Sequence, residues 1–275
     1  MRILDRLLLR SLILHRLLYL TVPPFREELD AVRSRVDVPS ELIDEFNRSR
    51  STADYNQVFE IPNPLVSVCV ATYNRADLLV DRCLWSILNQ DYGNIEVIVV
   101  GDCCTDHTAA RIAEIKDPRL TFTNLPERGT YPTNPRWRWM VAGTAAINRA
   151  LNLARGDFIA HLDDDDRYAP HRIRRLVAFA QEQRADLVWH PFLWERRLDK
   201  WVLNQAERLA RTKVTTSAIF YHRWFARILW DVDAYRYREP GDYNRIRKLK
   251  FFGIKTRRYP EPLLWHYKER NQTKK

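Results

Sequence analysis

The chain has 275 residues, of which 45% are hydrophobic and 29% charged, and it carries a net charge of +10. This composition excludes a disordered protein, and the length fits one large domain or a domain with an extension. The seven glycines form neither a dinucleotide-binding G-x-G-x-x-G motif nor a P-loop. The four cysteines contain no C-x-x-C pair, which disfavours a zinc ribbon and favours a reducing compartment such as the cytoplasm.

The first 24 residues are predicted to form a basic amphipathic helix. Arg6, Arg10 and Arg16 interrupt its apolar sequence, so no run reaches the ~20 apolar residues that cross a bilayer. A signal peptide would carry its charges before the apolar stretch, and Pro23-Pro24 ends the helix. The helix either packs on protein or lies in an anionic membrane surface, and the second alternative would place the protein on the inner face of the cell membrane.

Residues 25–64 are predicted to be a linker with one short helix, and residues 65–190 change to alternating strands and helices. The predicted strands are 65–70, 95–100, 120–123, 157–162 and 185–189, and the predicted helices are 77–89, 108–115, 144–154 and 170–183. Because the strands are continuous apolar runs between helices, we predict an α/β fold, a mostly parallel sheet with helices on both faces. Ligands of such sheets bind beyond the carboxyl ends of the strands.

Polar residues follow three of these strands, at 72–74, 102–104 and 163–166. The third group is a run of four aspartates, whose carboxylates repel each other unless a partner neutralises them. If the strand continued through the run, alternate carboxylates would point to opposite sides. Hard divalent cations prefer carboxylate, water and phosphate oxygens, so the run favours a metal site over a solvated acidic turn.

Three stretches at these strand ends share their order and spacing with a known family. They are VSVCVATYNR at 66–75, VVGDCCTD at 99–106 and ARGDFIAHLDDDD at 154–166. In these stretches the chain resembles the family 2 glycosyltransferases, which have the GT-A fold, and the likeness continues weakly to residue 249. The resemblance implies inverting transfer of a sugar from a nucleoside-diphosphate sugar, with a UDP-sugar favoured, and Mn²⁺ or Mg²⁺ as cofactor.

The resemblance also implies roles for residues that match the family's motifs. The first loop resembles the one under the base of the nucleotide, where Tyr73 can stack, and Asp102 resembles the carboxylate that accepts from the base N–H. In the second loop Gly101 stands where the family usually has an acidic residue, which leaves the base preference open. The implied donor-binding residues are Thr72, Tyr73, Asn74, Arg75, Asp102, Asp163 and Asp164, and either Asp164 or Asp166 would face the donor ribose or sugar.

Metal ligands and a general base are implied in the same way. Asp165 resembles the direct ligand of the ion and Asp163 the other half of a D-x-D motif, and the histidine near the end of related chains makes His266 a third candidate. Residues 191–275 would hold the acceptor-binding half and a basic tail, in which Asp242 resembles the carboxylate that deprotonates the acceptor hydroxyl. Without the resemblance, Asp242 would be interpreted as an N-cap and His266 as an ordinary interfacial histidine.

Two other functions fit parts of the sequence. A nucleotidyltransferase has a similar layout and acidic metal site, but it typically has a Gly-rich loop after the first strand, and residues 71–75 contain no glycine. A non-catalytic polyanion-binding module would explain the basic segment 236–275, with 13 Lys and Arg against four Asp and Glu, but not the acidic run. We therefore predict a glycosyltransferase of surface polysaccharide or glycolipid synthesis, with a glycan or lipid-linked acceptor and no nucleic-acid partner.

Overall fold

The computed structural model describes residue 34 and residues 37–268. The predicted amphipathic helix over residues 1–24 lies outside these residues, as does the end of the basic tail, 269–275. Within the described part of the chain, none of the helices combines the length and the apolar sequence needed to cross a membrane.

Most strands belong to one large sheet. The strands of the described residues are β1 (Val66–Thr72), β2 (Ile95–Gly101), β3 (Leu120–Asn124), β4 (Phe158–His161), β5 (Arg167–Tyr168), β6 (Leu187–Trp189), β7 (Phe192–Arg197), β8 (Lys200–Asn204), β9 (Ile219–His222), β10 (Thr256–Arg258) and β11 (Leu264–His266). The large sheet has the order β10-β6-β9-β4-β1-β2-β3. Its strands run parallel except for β9, which is antiparallel to both of its neighbours.

Helices separate the parallel strands, as the sequence pattern predicts. The α-helices of the described residues are α1 (Ser40–Ser49), α2 (Ala53–Gln57), α3 (residues 76–88, with a π-helical stretch at Leu79–Leu84), α4 (Thr108–Ala113), α5 (Pro135–Val141), α6 (Thr144–Leu153), α7 (Arg172–Gln183) and α8 (Gly241–Phe251), and short 3₁₀ helices lie at Thr216–Ala218, Arg223–Arg227 and Ala234–Tyr237. Val66, Val68 and Val70 on the central strand β1 are fully buried, so that strand lies within the hydrophobic core. The α/β fold with a mostly parallel sheet is therefore confirmed.

The segment before the sheet contains more structure than a linker. Residues 47–56 are polar in sequence, yet they include the start of α2, where Thr52 accepts a hydrogen bond from the Tyr55 backbone N–H at 3.3 Å. Tyr55 is buried and donates to Asp186 at 2.5 Å, and Phe46 of α1 packs its ring 5.2 Å from that of Phe225. These contacts attach the segment to residues that lie next to the strands β6 and β9.

A second, smaller sheet joins residues 167–168 to three strands of the C-terminal part of the chain and controls the position of His266. It has the order β5-β11-β7-β8. Strand β5 begins directly after the four aspartates, and β11 pairs with it antiparallel, Trp265 opposite Arg167. This pairing brings the C-terminal His266 to the acidic run, about 100 residues earlier in the chain.

Candidate functional site

The carboxyl ends of three neighbouring strands open into one cavity of about 1090 Å³. Parallel pairing aligns Thr72 with Gly101 and Cys69 with His161, so the loops after β1, β2 and β4 meet at one edge of the sheet. The predicted site residues that line this cavity are Thr72, Tyr73, Arg75, Asp102, Asp163, Asp164, Asp165, Asp242 and His266. Asn74 instead has a positive φ of 51° and uses its side chain to accept from the Thr105 N–H at 2.8 Å, which holds the first two loops together.

The four aspartates form a turn, because β4 ends at His161. The strand therefore does not continue through the run, and alternate carboxylates are not sorted to two sides. Instead the Asp166 N–H donates to the Asp163 carbonyl at 3.0 Å. Ligand atoms of Asp163, Asp166 and His266 then lie within 4.8 Å of one another, a set of two carboxylates and an imidazole that could hold a divalent ion.

Asp166 is fully buried and holds His266 in place. Its two oxygens lie 2.8 Å from His266 Nδ1 and 3.0 Å from the Tyr267 N–H, which donates to it. Burial lowers the pKa of His266, but the charges of Asp166, Asp163 and Asp165 raise it more, to about 9. A carboxylate that binds one ring nitrogen orients the other towards a metal, which is the usual support of a histidine ligand.

The remaining aspartates of the turn are only partly neutralised. Arg75 donates to Asp165 at 2.9 Å and to Asp164 at 3.0 Å, and Thr72 donates to Asp164 at 2.7 Å. Burial, followed by repulsion from neighbouring carboxylates, raises the pKa of Asp163 to about 8 and that of Asp165 to about 7. One arginine does not offset this negative charge, so the donor set fits Mn²⁺ or Mg²⁺.

The other end of the cavity contains the aromatic and acidic residues that are predicted to bind the nucleotide base. Asp102 is 1% exposed and accepts from the Gly129 N–H at 3.0 Å. Arg128 lies between the two predicted residues: its guanidinium carbon is 3.6 Å from the centre of the Tyr73 ring, and its Nε is 3.7 Å from Asp102. A planar, aromatic ligand could stack on the same tyrosine.

Asp242 lies in the first turn of α8, which begins at Gly241. The N-cap position belongs to Pro240, so the N-cap interpretation of Asp242 is wrong. Its Oδ1 accepts from the Tyr243 N–H at 2.7 Å. Burial nevertheless outweighs this hydrogen bond and raises the pKa of Asp242, whereas the helix N-terminus alone would favour its ionised form.

Glu239, a carboxylate just before α8, is part of the core. It is fully buried, accepts from Asn244 at 3.0 Å and pairs with Arg247 at 3.1 Å. We expect Glu239→Ala to lower the free energy of unfolding by about 2 kcal/mol, because Arg247 would lose one of its two carboxylate partners and keep the other, Asp37. Urea denaturation measures this loss, and Glu45→Ala, which removes an exposed partner of Arg227, should cost less than about 1 kcal/mol. Equal costs for the two variants would contradict the buried pair.

Several residues in and around the cavity were not identified by the sequence analysis. Asp166 was not assigned to His266, since their proximity depends on the pairing of β5 with β11. His161 and Trp230 line the inner wall of the cavity. Burial and the nearby guanidinium groups of Arg245 and Arg172 lower the pKa of His161 well below its usual range. A histidine within an apolar strand was the one signal in the sequence.

Comparison with known proteins gives a family and a fold. Residues 67–208 match the family described as Glycosyl transferase family 2. WcaA of Escherichia coli (strain K12), named for colanic acid biosynthesis glycosyl transfer, is 34% identical over 48% of this chain and 42% of its own length. WfaP of Escherichia coli, a UDP-Glc:alpha-D-GlcNAc-diphosphoundecaprenol beta-1,3-glucosyltransferase, is 32% identical over 44% of this chain and 43% of its own length. The chain thus spans less than half of these relatives.

A solved structure shows the same fold. The mannosyltransferase PcManGT from Pyrobaculum calidifontis, in complex with GDP-Man and Mn²⁺, superposes with a TM-score of 0.56. The superposition covers 77% of this chain and 59% of that protein at 19% sequence identity. At this identity the likeness concerns the fold, which is of the GT-A type.

Proposed function

The chain belongs to glycosyl transferase family 2, and from that premise we propose that it transfers a sugar, with inversion, from a nucleoside-diphosphate sugar to an acceptor hydroxyl. The observation that carries the proposal is the single cavity that joins an aromatic and acidic pocket, a carboxylate turn and the isolated carboxylate of Asp242. A UDP-sugar is the favoured donor, as for WfaP. The names of the relatives support a role in polysaccharide or glycolipid synthesis, with a glycan or lipid-linked acceptor.

The donor would lie along the edge of the sheet. Its base would stack on Tyr73 and donate to Asp102, the partners that Arg128 occupies in the structure. Thr72 and Arg75 hold the Asp164 carboxylate from two sides, at 2.7 Å and 3.0 Å, so that it faces the cavity as a fixed acceptor for the ribose or sugar. The diphosphate would then reach the carboxylate turn.

We propose that Asp163, Asp165 and His266 hold a Mn²⁺ or Mg²⁺ ion, with Asp166 orienting His266. When bound, the ion supplies the positive charge that a leaving diphosphate requires. Arg75 would share this task, because its guanidinium already lies 2.9 Å from Asp165. A Mn²⁺-bound structure of the same fold supports the choice of ion.

The metal-free protein should lose stability as the pH rises from 7 to 9. The folded-state pKa values of Asp163 (about 8) and His266 (about 9) lie above their unfolded values, so their contribution is present at low pH and lost as the pH rises through the folded values. We expect a fall of about 2–4 kcal/mol in the free energy of unfolding, at about 1.4 kcal/mol per pKa unit. Urea denaturation in EDTA measures it.

Mn²⁺ should reverse this pH dependence, since metal binding displaces the same protons. The stabilisation by Mn²⁺ should therefore be larger at pH 8 than at pH 6.5. Asp163→Asn should make the metal-free profile less steep between pH 7 and 8, leaving the contribution of His266. A wild-type profile that stays flat from pH 7 to 9 would show that the turn does not retain protons.

The membrane interpretation of residues 1–24 also stays a proposal, because these residues lie outside the described part of the chain. On the membrane, such a helix would hold the enzyme next to a lipid-linked acceptor. The full chain should float with vesicles that contain anionic lipid, and a chain that begins at Pro24 should not. Equal flotation of both would favour a helix that packs on protein.

The proposed function itself is tested by thermal shift. The purified chain is heated with UDP-, GDP- and dTDP-sugars, each with Mn²⁺ and with EDTA. Stabilisation by one nucleoside-diphosphate sugar that requires Mn²⁺ supports the proposal. Stabilisation by nucleoside triphosphates but by no nucleotide sugar would favour the nucleotidyltransferase alternative.

A further inference from the structure

Two arginines contact the turn of four aspartates, residues 163–166, in different ways. Arg75, the N-cap of α3, lines the cavity and donates to the side chains of Asp164 and Asp165. Arg82 of α3 lies outside the lining of the cavity and donates to the backbone carbonyl of Asp165 at 2.8 Å. A cation that bound the Asp165 side chain would compete with Arg75 for carboxylate oxygens. It would leave the contact of Arg82 in place, because Arg82 occupies none of those oxygens.

Arg82 also reaches the strand end that contains His266. Its guanidinium carbon lies 3.6 Å from the centre of the Tyr267 ring, which is a close cation–π contact. Tyr267 directly follows His266, and its backbone N–H donates to Asp166 at 3.0 Å. The same ring contacts Trp201 of β8 edge to face, with the ring centres 4.8 Å apart. One guanidinium group therefore connects the aspartate turn to the end of β11.

The helix has an unusual conformation at this residue. Arg82 lies in the π-helical stretch Leu79–Leu84, and such stretches are rare and often occur at functional sites. The next residue, Cys83, is fully buried in the core, which holds the helix firmly beside Arg82. A planar guanidinium donates at its edge and stacks with its face, so one side chain can make both contacts.

We propose that Arg82 is a positioning residue that holds Asp165 and His266 in the one arrangement in which both can bind the same ion. This inference rests on the proposed function, in which these two residues and Asp163 are the ligands. The pairing of β5 with β11 and the contact of Asp166 with His266 bring the two segments together. Arg82 fixes their relative position from outside the cavity. Residues that hold metal ligands in place typically change metal affinity by about 10- to 100-fold.

The sign of the change in Mn²⁺ affinity separates positioning from charge. Arg82→Met removes a positive charge beside the turn, and by electrostatics alone it would tighten the binding of a cation. Loss of positioning would weaken the binding instead, and we expect a loss of about tenfold. Calorimetric titration of Mn²⁺ into the full chain, alone and with UDP, measures the affinity. Arg82→Lys keeps the charge and a donor but has no planar group to stack, so its loss should be smaller.

A double-mutant cycle tests the connection through the aromatic ring. Tyr267→Leu removes the stacking partner and leaves the charge of Arg82 in place. If Arg82 acts through Tyr267, Arg82→Met should cost less Mn²⁺ affinity in the Tyr267→Leu background than in the wild type. Fully additive losses would overturn the proposed connection to the end of β11.

Arg119→Met is the matched control. Arg119 also donates to a backbone carbonyl of α3, that of Leu88 at 2.8 Å, but it pairs with Asp117 and lies outside the lining of the cavity. Its replacement should lower the free energy of unfolding, measured by urea denaturation, and leave Mn²⁺ affinity unchanged. A merely structural role of Arg82 would give the same pair of results for Arg82→Met.

Unchanged or tighter Mn²⁺ binding by Arg82→Met overturns the inference, while stabilisation of the wild type by Mn²⁺ and a nucleotide sugar leaves the proposed function standing. If Arg82→Met does not fold, Tyr267→Leu decides, because loss of the same contact should weaken Mn²⁺ binding and unchanged binding would overturn the inference. If the wild type binds nucleotide sugar without any effect of Mn²⁺, the metal assignment fails and the inference with it.

Discussion

Asp165→Asn is expected to abolish the effect of Mn²⁺ on nucleotide-sugar binding, with a loss in donor affinity of about 100-fold or more. Loss of an outer partner of a metal ligand typically costs about 10- to 100-fold in metal affinity, and loss of a ligand should cost at least as much. Asparagine has the shape of aspartate and can still accept from Arg75, which now donates to Asp165 at 2.9 Å. The variant should therefore keep the fold, so that a change in binding reports the loss of the negative charge.

The measurement is titration of UDP and its favoured sugar nucleotide into the variant, with Mn²⁺ and with EDTA. Asp91→Asn is the matched control, because Asp91 also accepts from an arginine, Arg174 at 2.7 Å, but on the exposed surface. It should bind donor as the wild type does. Unchanged donor affinity in Asp165→Asn would overturn the assignment of Asp165 as a ligand.

Asp166→Asn separates a metal ligand from the residue that orients one. The asparagine side chain could still accept from the Tyr267 N–H, but it would no longer hold a charged His266. We expect a smaller loss of metal affinity, about 10- to 100-fold. If Asp166→Asn abolishes the metal effect and Asp165→Asn does not, the ion is held by Asp163, Asp166 and His266, the set whose ligand atoms already lie within 4.8 Å.

The loops that follow the parallel strands are the part of the site that could be predicted from the sequence. Apolar runs such as 66–70 identify buried parallel strands, and parallel strands place the residues that follow them at one edge. That rule brings Thr72, Asp102 and Asp163 to one cavity. It needs no knowledge of side-chain packing.

Contacts that depend on the second sheet could not be predicted in this way. The hairpin of β7 and β8 lies in a sequence without clear alternation, because exposed Trp194, Val202 and Leu203 break the usual pattern of apolar-in and polar-out. The pairing of His266 with Asp166 follows from β11 joining β5, a contact across 100 residues. The sequence could indicate His266 only through the resemblance to a family.

Asp242→Asn is expected to lower turnover by about 10²–10⁴ and to leave donor affinity near that of the wild type. Positioned proton transfer typically contributes this much to a rate. Inverting transfer requires a base on the face of the sugar opposite the leaving diphosphate, and in the proposed arrangement the carboxylates of the turn would lie on the diphosphate side. Asp242 enters the same cavity from α8, a distant part of the chain. Burial raises its pKa, which makes it a stronger base than a free carboxylate once it is ionised.

The substitution removes the proton acceptor and leaves the shape of the side chain almost unchanged. The Oδ1 of asparagine can still accept the Tyr243 N–H, which Asp242 now accepts at 2.7 Å, so α8 should begin as before. Steady-state transfer to the true acceptor, with donor titration beside it, measures both quantities. Glu239→Gln is the control, because Glu239 is a buried carboxylate bound to Asn244 and Arg247. It should lower stability and leave the turnover of the folded enzyme intact.

Two results for Asp242→Asn would contradict this prediction, and they have different meanings. A variant that keeps most of its turnover would show that the base lies elsewhere, and Glu239→Gln would then have to lower turnover if Glu239 were that base. A variant that loses donor affinity together with turnover would make Asp242 a donor ligand. Urea denaturation of Asp242→Asn separates this second outcome from a displaced helix, because α8 packs through Gly241 on Trp230 and its displacement would lower stability. A displaced α8 would disturb the sugar end of the cavity and leave the nucleotide end, at Tyr73 and Asp102, as it is.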